Sequence, residues 1–499
     1  MNLMVLLDMA AQAAPDRVAL GRRSDGLTYG RLKELAGAAA VWLDGQGERV
    51  VYGDVSTPLL PVLLFGSSWA GKPFVPVNYR LAADRLDTLI ASQVPAALIG
   101  PQPQQESLSA HTTAAASSAI YALAETFPQP QEWSFDDDDI AIVLHTSGTS
   151  GAPKPVVLRQ RHLVGYVLGS VDFLTADADE ATLVSVPPYH IAGMAAILTA
   201  VFGGRRLVQL PVFDPVEWVA AVRSERITHA MVVPTMMARI LETLVAEGAS
   251  SAGLPTLRHL SYGGGRMPLP TIESALQLLP HVNFVNAYGL TETSSSVAVL
   301  GPDEHRAAMA SDDPTVRARL SSVGRPLPTV ELSVRDVDGN EVANGEHGEV
   351  WVRGDQVSGE YGNVSTVNAE GWFSTKDAGF FDDQGYLFLT GRLDDVIVRG
   401  GENLSPGEIE DVLMNHHAVR DAAVVGIADQ EWGEVPACAV VFEAGQAIDT
   451  HELQAWVGQH LRSARVPVVV LVLDELPYND TGKLVRRELK PMLQNLHNR

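Results

Sequence analysis

The stretch "HTSGTSGAPKPV" (145–156) fills every position from Thr146 to Gly151 with a hydroxyl residue or a glycine, then sets Lys154 between two prolines. Successive backbone N–H groups in a glycine-rich turn form a nest for an anion, hydroxyls add donors, and a lysine adds a mobile charge. That is chemistry for gripping phosphate. It is not the P-loop pattern GxxxxGK[ST], because Pro155 follows Lys154 and the glycine spacing differs. Proline there removes one N–H and fixes φ near −65°, which costs little if the position needs only extended backbone. On its own the stretch also reads as a solvent-exposed turn.

Other segments carry compatible groups. "PPYHIAG" (187–193) ends an apolar run in His190, a residue equally at home as a satisfied core histidine. "SYGGGRMP" (261–268) is a second glycine cluster, over which a flat ligand can lie against backbone. "NAYGLTET" (286–293) combines an aromatic ring, a glycine, hydroxyls and Glu292, which alone could be a helix first-turn carboxylate. "GWFSTKDAGFFDDQGYLFLTGRLDDVI" (371–397) supplies Asp377 and Arg392. "NDTGK" (479–483) puts Lys483 in a turn, where an isolated lysine is usually a surface charge.

These groups need strands that end at a common edge. "IAIVLHTSGTSG", "ATLVSVPPYHIAG", "HAMVVPTMMARILETL", "LRHLSYGGG" and "VNFVNAYGL" each run from an apolar strand into a loop, most with a helix following. The alternation predicts a mostly parallel, helix-covered sheet. Residues 101–139 read as a linker with a weak helix, and 302–320 as a polar surface loop. From about 323 short alternating strands predict a β-rich subdomain. A compact α+β tail follows, with helices near 407–415 and 451–462 and strands near 422–427 and 436–442. The fold class is α/β: a large N-terminal domain (1–393) and a small α+β C-terminal domain (394–499).

At 499 residues the chain exceeds one core. A net charge of −24 argues against general nucleic-acid or anionic-membrane binding. One cysteine, Cys438, excludes an intrachain disulfide framework and a cysteine zinc cluster. No basic n-region precedes the first apolar run and no apolar stretch reaches membrane-span length, so a cytoplasmic enzyme is expected, with homodimerisation left open.

Taken together, the order and spacing of the motifs resemble the adenylate-forming superfamily of acyl/aryl-CoA synthetases, nonribosomal-peptide adenylation domains and luciferases. The resemblance runs from "WAGKPFVPVNYRL" (69–81) to "LPYNDTGKLVRREL" (476–489). It implies attack of a carboxylate on the α-phosphate of ATP, release of pyrophosphate, and transfer of the acyl group to a thiol. Thr146, Ser147, Gly148, Thr149, Ser150, Gly151 and Lys154 would then hold the β/γ-phosphates, Glu292 would ligate Mg²⁺, and Thr291 would donate to the α-phosphate. Gly263, Gly264 and Gly265 would form one wall of the adenine slot and Tyr288 the other, with Ala287 beside it and Asn286 on the adenine amine. Asp377 would accept from the ribose hydroxyls, Arg392 would reach ribose or phosphate, and Lys483 would bridge carboxylate and phosphate in the first step. Lys376 departs from the usual "TGD" and is expected to point outward.

For the second step the resemblance implies a C-terminal domain mobile about a hinge at Asp394, a pantetheine passage at Gly400 and Gly401 lined by Trp432, and CoA phosphate contacts from Arg80 and Arg465. Trp432 could equally be a packing residue. The acid pocket would fall at His190, Ile191, Ala192, Gly265, Ala287, Gly289 and Ser294; His190 lacks a neighbouring carboxylate, which argues against an amino acid. The mostly small residues predict a roomy, apolar pocket for a medium-chain, aryl or alicyclic acid. The expected function is an ATP-, Mg²⁺- and coenzyme A-dependent acid:CoA ligase. The alternatives are a freestanding enzyme that loads a carrier-protein pantetheine arm, and a nucleotide-binding relative without ligase chemistry.

Overall fold

The computed structural model describes residues 1–100, 110–126, 132–146, 153–248, 253–479 and 484–498. Four sheets organise them. The first has eight strands, and its central members Phe74–Pro76, Arg49–Tyr52, Ala96–Gly100 and Ile140–Thr146 are parallel. The second has nine. Its core strands Arg206–Gln209, Ala181–Val184, His229–Val232, His259–Gly263 and Asn283–Leu290 are parallel neighbours. Helices cover both sheets. Ile191–Gly203 buries Ile191, Met194, Ile197, Leu198, Val201 and Phe202 in the large core they share. Each such side chain contributes roughly 1.5–3 kcal/mol on burial.

The β-rich part is a four-stranded antiparallel sheet of Val330–Arg335, Gly348–Gly354, Phe373–Phe381 and Leu387–Arg392. Between its second and third strands the chain returns to the first sheet. There Glu360–Tyr361 pairs with Lys154–Arg159, in register Tyr361 to Val156. This return brings chemistry from the third sheet to the phosphate loop.

The C-terminal part is a separate five-stranded sheet beginning at Ile397. Leu453 and Val457 of helix Thr450–His460 and Ile409 and Leu413 of helix Pro406–Met414 pack in one apolar layer, and Leu489 and Leu493 of helix Arg486–His497 in the other.

One expectation fails. Residues 302–320 are not a loop: helices Pro302–Ala310 and Pro314–Arg317 and a 3₁₀ turn from Ala318 occupy them. Pro302 starts the first helix with a preset φ, and its buried His305 accepts or donates at 2.8 Å to the Tyr262 hydroxyl. The polar composition hid a helix anchored by one buried histidine. The helix expected within 101–139 is Thr113–Thr126, 14 residues long, and it sinks Ala116 and Ile120 into the core.

Candidate active site

Strand Ile140–Thr146 enters the phosphate loop and Lys154–Arg159 leaves it. The two pair antiparallel, with Thr146 opposite Lys154 and His145 opposite Pro155. Thr146 and Lys154 therefore flank the mouth of the loop; Ser147, Gly148, Thr149, Ser150 and Gly151 lie outside the described residues. Pro155 accepts the Gly362 N–H on its carbonyl at 2.9 Å. A strand residue's N–H and C=O share a side, so the donor that Pro155 lacks faces Gly362 and not the loop-entry strand. His145 is half-buried, its enclosed Nδ1 has no partner among the described residues, and desolvation lowers its pKa to about 4. It is neutral at pH 7.

The parallel strands of the second sheet deliver their C-terminal ends to one edge, where ligands bind in open α/β sheets. His190 lies beyond Ala181–Val184, Gly263–Gly265 at the end of His259–Gly263, and Tyr288–Glu292 at the end of Asn283–Leu290. A Cβ on Gly263 would overlap the Ala287 carbonyl oxygen, and Gly264 has φ 78°. Gly265 stands against Pro234. Gly289 is small for a different reason from pocket room: a Cβ there would overlap the Ser295 carbonyl, in a register shift of the antiparallel pair. Asn286 Nδ2 donates to the Ser322 carbonyl at 2.9 Å, which ties the strand to the 3₁₀ turn and leaves Oδ1 as the acceptor an adenine amine would need.

Thr291–Thr293 forms a 3₁₀ turn. It holds Glu292 at 8% exposure, with Oε1 accepting the Tyr361 hydroxyl at 2.7 Å. The Glu292 carbonyl accepts from Ser358 and Gly359 N–H. Ser294 (φ 57°) and Ser295 (φ 123°) follow in left-handed backbone, costing on the order of 1–3 kcal/mol each. Gln356 holds that strained turn by donating to the Thr293 and Ser296 carbonyls. The Ser294 hydroxyl is buried with no partner among the described residues.

Across the site Tyr288 donates to Asp377 Oδ2 at 2.7 Å and Arg392 donates to Asp377 Oδ1 at 2.9 Å. Asp377 and Arg392 are register partners on neighbouring strands. Burial, then the Asp377 charge, pushes the Tyr288 phenol well up, so it stays protonated. Each carboxylate oxygen has two lone pairs, so Asp377 retains acceptor capacity for sugar hydroxyls. Lys376 points outward, its side chain 56% exposed and 3.2 Å from Glu349. It occupies φ 62°, the conformation that favours glycine.

His190 caps helix Ile191–Gly203 by accepting the Ala192 N–H on Nδ1 at 3.2 Å. The helix carries no charged residue from Ile191 to Gly203. Beside it the rings of Tyr79 and Tyr189 meet edge to face at 5.8 Å.

In the C-terminal sheet Gly400 (φ 56°) and Gly401 (φ 87°) form an exposed turn. A Cβ on Gly400 would come within 2.8 Å of the Trp432 ring, and Arg399 lies over that ring at 5.0 Å. Gly400 is thus required by its contact with Trp432, which is 43% exposed. Arg465 is not a spare cation: it pairs with Glu402 at 3.0 Å and Glu408 at 2.6 Å. Arg80 is exposed, over its neighbour Tyr79 at 5.7 Å. Asp394 lies in the exposed turn Leu393–Asp395. Lys483 lies outside the described residues; the bridge between Tyr478 and Leu484 brackets its loop.

Sequence reasoning missed Tyr361, Gln356 and Arg266. Tyr361 sits 69 residues from its partner, and no local motif marks it. Its ring also stands 6.0 Å from the Lys154 ammonium.

The AMP-binding enzyme family matches residues 7–362, and the AMP-binding enzyme C-terminal domain matches residues 408–483. A feruloyl-CoA synthase from Amycolatopsis is 31% identical over 495 residues, covering 96% of each chain. The o-succinylbenzoate CoA synthetase of Bacillus subtilis, solved with its acyl-adenylate intermediate, is 26% identical, covers 97% of both chains and superposes with a TM-score of 0.82. The same synthetase solved with ATP and magnesium is 26% identical over 97% of this chain and 98% of that one, with a TM-score of 0.80. With the phosphate-loop cation linked to Glu292 through Tyr361 and the family models matched over both parts, the chain belongs to the AMP-binding enzyme family, within the adenylate-forming acyl/aryl-CoA synthetases.

Proposed function

We propose that the chain is an ATP-dependent acid:CoA ligase. The observation that carries the reading is the linking of Lys154, Tyr361 and Glu292 through one phenol, with Arg392, itself joined to Asp377 beside Tyr288, near enough to act on that phenol electrostatically. A carboxylate oxygen of the acid attacks the α-phosphorus of ATP, the bond to the bridging oxygen of pyrophosphate breaks, and pyrophosphate leaves. The thiolate of coenzyme A then attacks the acyl carbonyl and AMP leaves with the carboxyl oxygen. Catalysis of such steps is mainly positioning plus charge stabilisation.

Lys154 and the 146–151 loop neutralise the β/γ-phosphates, Thr291 donates to the α-phosphate, and Lys483 meets the charge that develops between acid and phosphate. Asp377 and Arg392 fix the ribose, and Gly263–Gly265 leave the adenine room. Glu292 suits Mg²⁺: it is one hard carboxylate at a phosphate site, and this ion is usually held by one or two carboxylates with substrate phosphates and water. When bound, the ion offsets phosphate charge.

The acid has an apolar aryl, alicyclic or medium-chain body. The feruloyl-CoA synthase relative supports an aryl acid. We place the domain boundary near Asp394, giving residues 1–393 and 394–499, and the enzyme in the cytoplasm, in keeping with its single, buried Cys438. The double pairing of Arg465 favours one alternative acceptor, a carrier-protein pantetheine arm that needs no nucleotide contact. Acid-dependent pyrophosphate release, measured over a panel of aryl, alicyclic and aliphatic acids with and without coenzyme A, tests all of this. CoA-dependent AMP release identifies the acceptor. Absence of release with every acid would remove the ligase reading.

A further inference from the structure

Arg266 directly follows the three glycines of the candidate adenine wall, and its guanidinium is ion-paired with Asp411 on helix Pro406–Met414. The contact joins the nucleotide edge of the second sheet to the C-terminal part. Three features show that this meeting is built. Gly407, one turn before Asp411 on the same helix, lacks the Cβ that would overlap the Arg266 guanidinium. The Ser405 hydroxyl donates to the Thr390 carbonyl beside it. Glu410, the neighbour of Asp411, is fixed by Arg486 and by the Val424 N–H at 2.8 Å, so the helix presents Asp411 from a rigid base. In this arrangement the Gly400–Gly401 turn faces solvent.

We infer that Arg266 is a positioning residue: its pairing with Asp411 holds the C-terminal part in the orientation used for acyl-adenylate formation and must open before thiol transfer. The inference rests on the ligase reading above. A surface ion pair alone is worth little. Its effect here is on the balance between two orientations, where even a modest coupling shifts populations severalfold.

The test uses the full chain and separates the half-reactions. Arg266→Ala should lower acid-dependent ATP–pyrophosphate exchange by about tenfold while leaving transfer from supplied acyl-adenylate to coenzyme A unchanged or faster. Gly407→Ala should do the same with every charge intact; alanine is the better helix former, so folding is not at risk. Arg266→Asp with Asp411→Arg should restore exchange to within about threefold of the parent. Equal losses in both half-reactions, or no rescue by the exchanged pair, would overturn the inference. A readout independent of chemistry is dye-pair distance, with cysteines introduced at exposed Asp303 and Ala444 and the buried Cys438 left unlabelled. The distance distribution should broaden in Arg266→Ala and in Gly407→Ala, and an unchanged distribution would refute the latch. If the parent shows no exchange with any acid, the ligase reading fails, while the distance measurement still decides the latch.

Discussion

Tyr361 donates its phenolic hydrogen to Glu292 at 2.7 Å, so the carboxylate proposed for the metal is oriented by a strand that the chain reaches only after leaving the second sheet. The same ring stands 6.0 Å from the Lys154 ammonium. One side chain therefore ties the phosphate-loop cation to the candidate magnesium ligand.

Tyr361→Phe keeps the ring near Lys154 and removes only the bond to Glu292. Hydrogen bonds to charged groups are worth about 1.5–3 kcal/mol, so kcat/KM for ATP in the first half-reaction should fall about tenfold or more. Burial, then Glu292, raises the Tyr361 phenol above its ordinary range. The parent pH profile should accordingly show no ionisation of this tyrosine up to pH 10. A steady-state series over magnesium concentration checks the first point, and an unchanged kcat/KM would remove the orienting role.

Lys376 holds φ 62° while paired with Glu349 at its exposed face. Alanine keeps the left-handed strain and loses the pair; glycine loses both. Lys376→Gly should therefore be more stable than Lys376→Ala by about 1 kcal/mol. Denaturant unfolding of the two variants decides, and an alanine variant equal to or above the glycine one would contradict the backbone assignment.

His145, held neutral by burial with a pKa of about 4, binds fewer protons folded than unfolded between about pH 6.5 and 4. Stability is thus fully present above pH 6.5 and is lost as pH falls through that window. His162, also lowered to about 4 by burial, adds to the loss. The melting temperature should drop from pH 7 to 4, and His145→Gln should flatten the drop. A parallel pH dependence in variant and parent would show that His145 does not contribute.

Gly263→Ala would set its new methyl into the Ala287 carbonyl oxygen between two parallel strands. The strands must part, and overpacking of this kind costs about 1–3 kcal/mol. The expected result is a lower melting temperature together with a raised KM for ATP. A variant as stable as the parent with unchanged ATP affinity would show that the strand ends yield freely.

The sequence by itself determined the family, the order of the motifs and the strand–loop pattern. Each of these depends on local signals: glycine runs, apolar strands that stop at polar turns, hydroxyls at fixed offsets. The same locality explains its misreadings. Residues 302–320 look like loop because the helix depends on His305 meeting Tyr262 from another strand. Arg465 looks like a free recognition group because its partners, Glu402 and Glu408, are distant in sequence. Gly289 looks like pocket space, whereas the close Ser295 carbonyl requires it. Only the tertiary structure decided which charges are paired and which strands return. Tyr361 reached Glu292, and Arg266 reached Asp411, through long-range packing that side-chain identity and spacing do not encode.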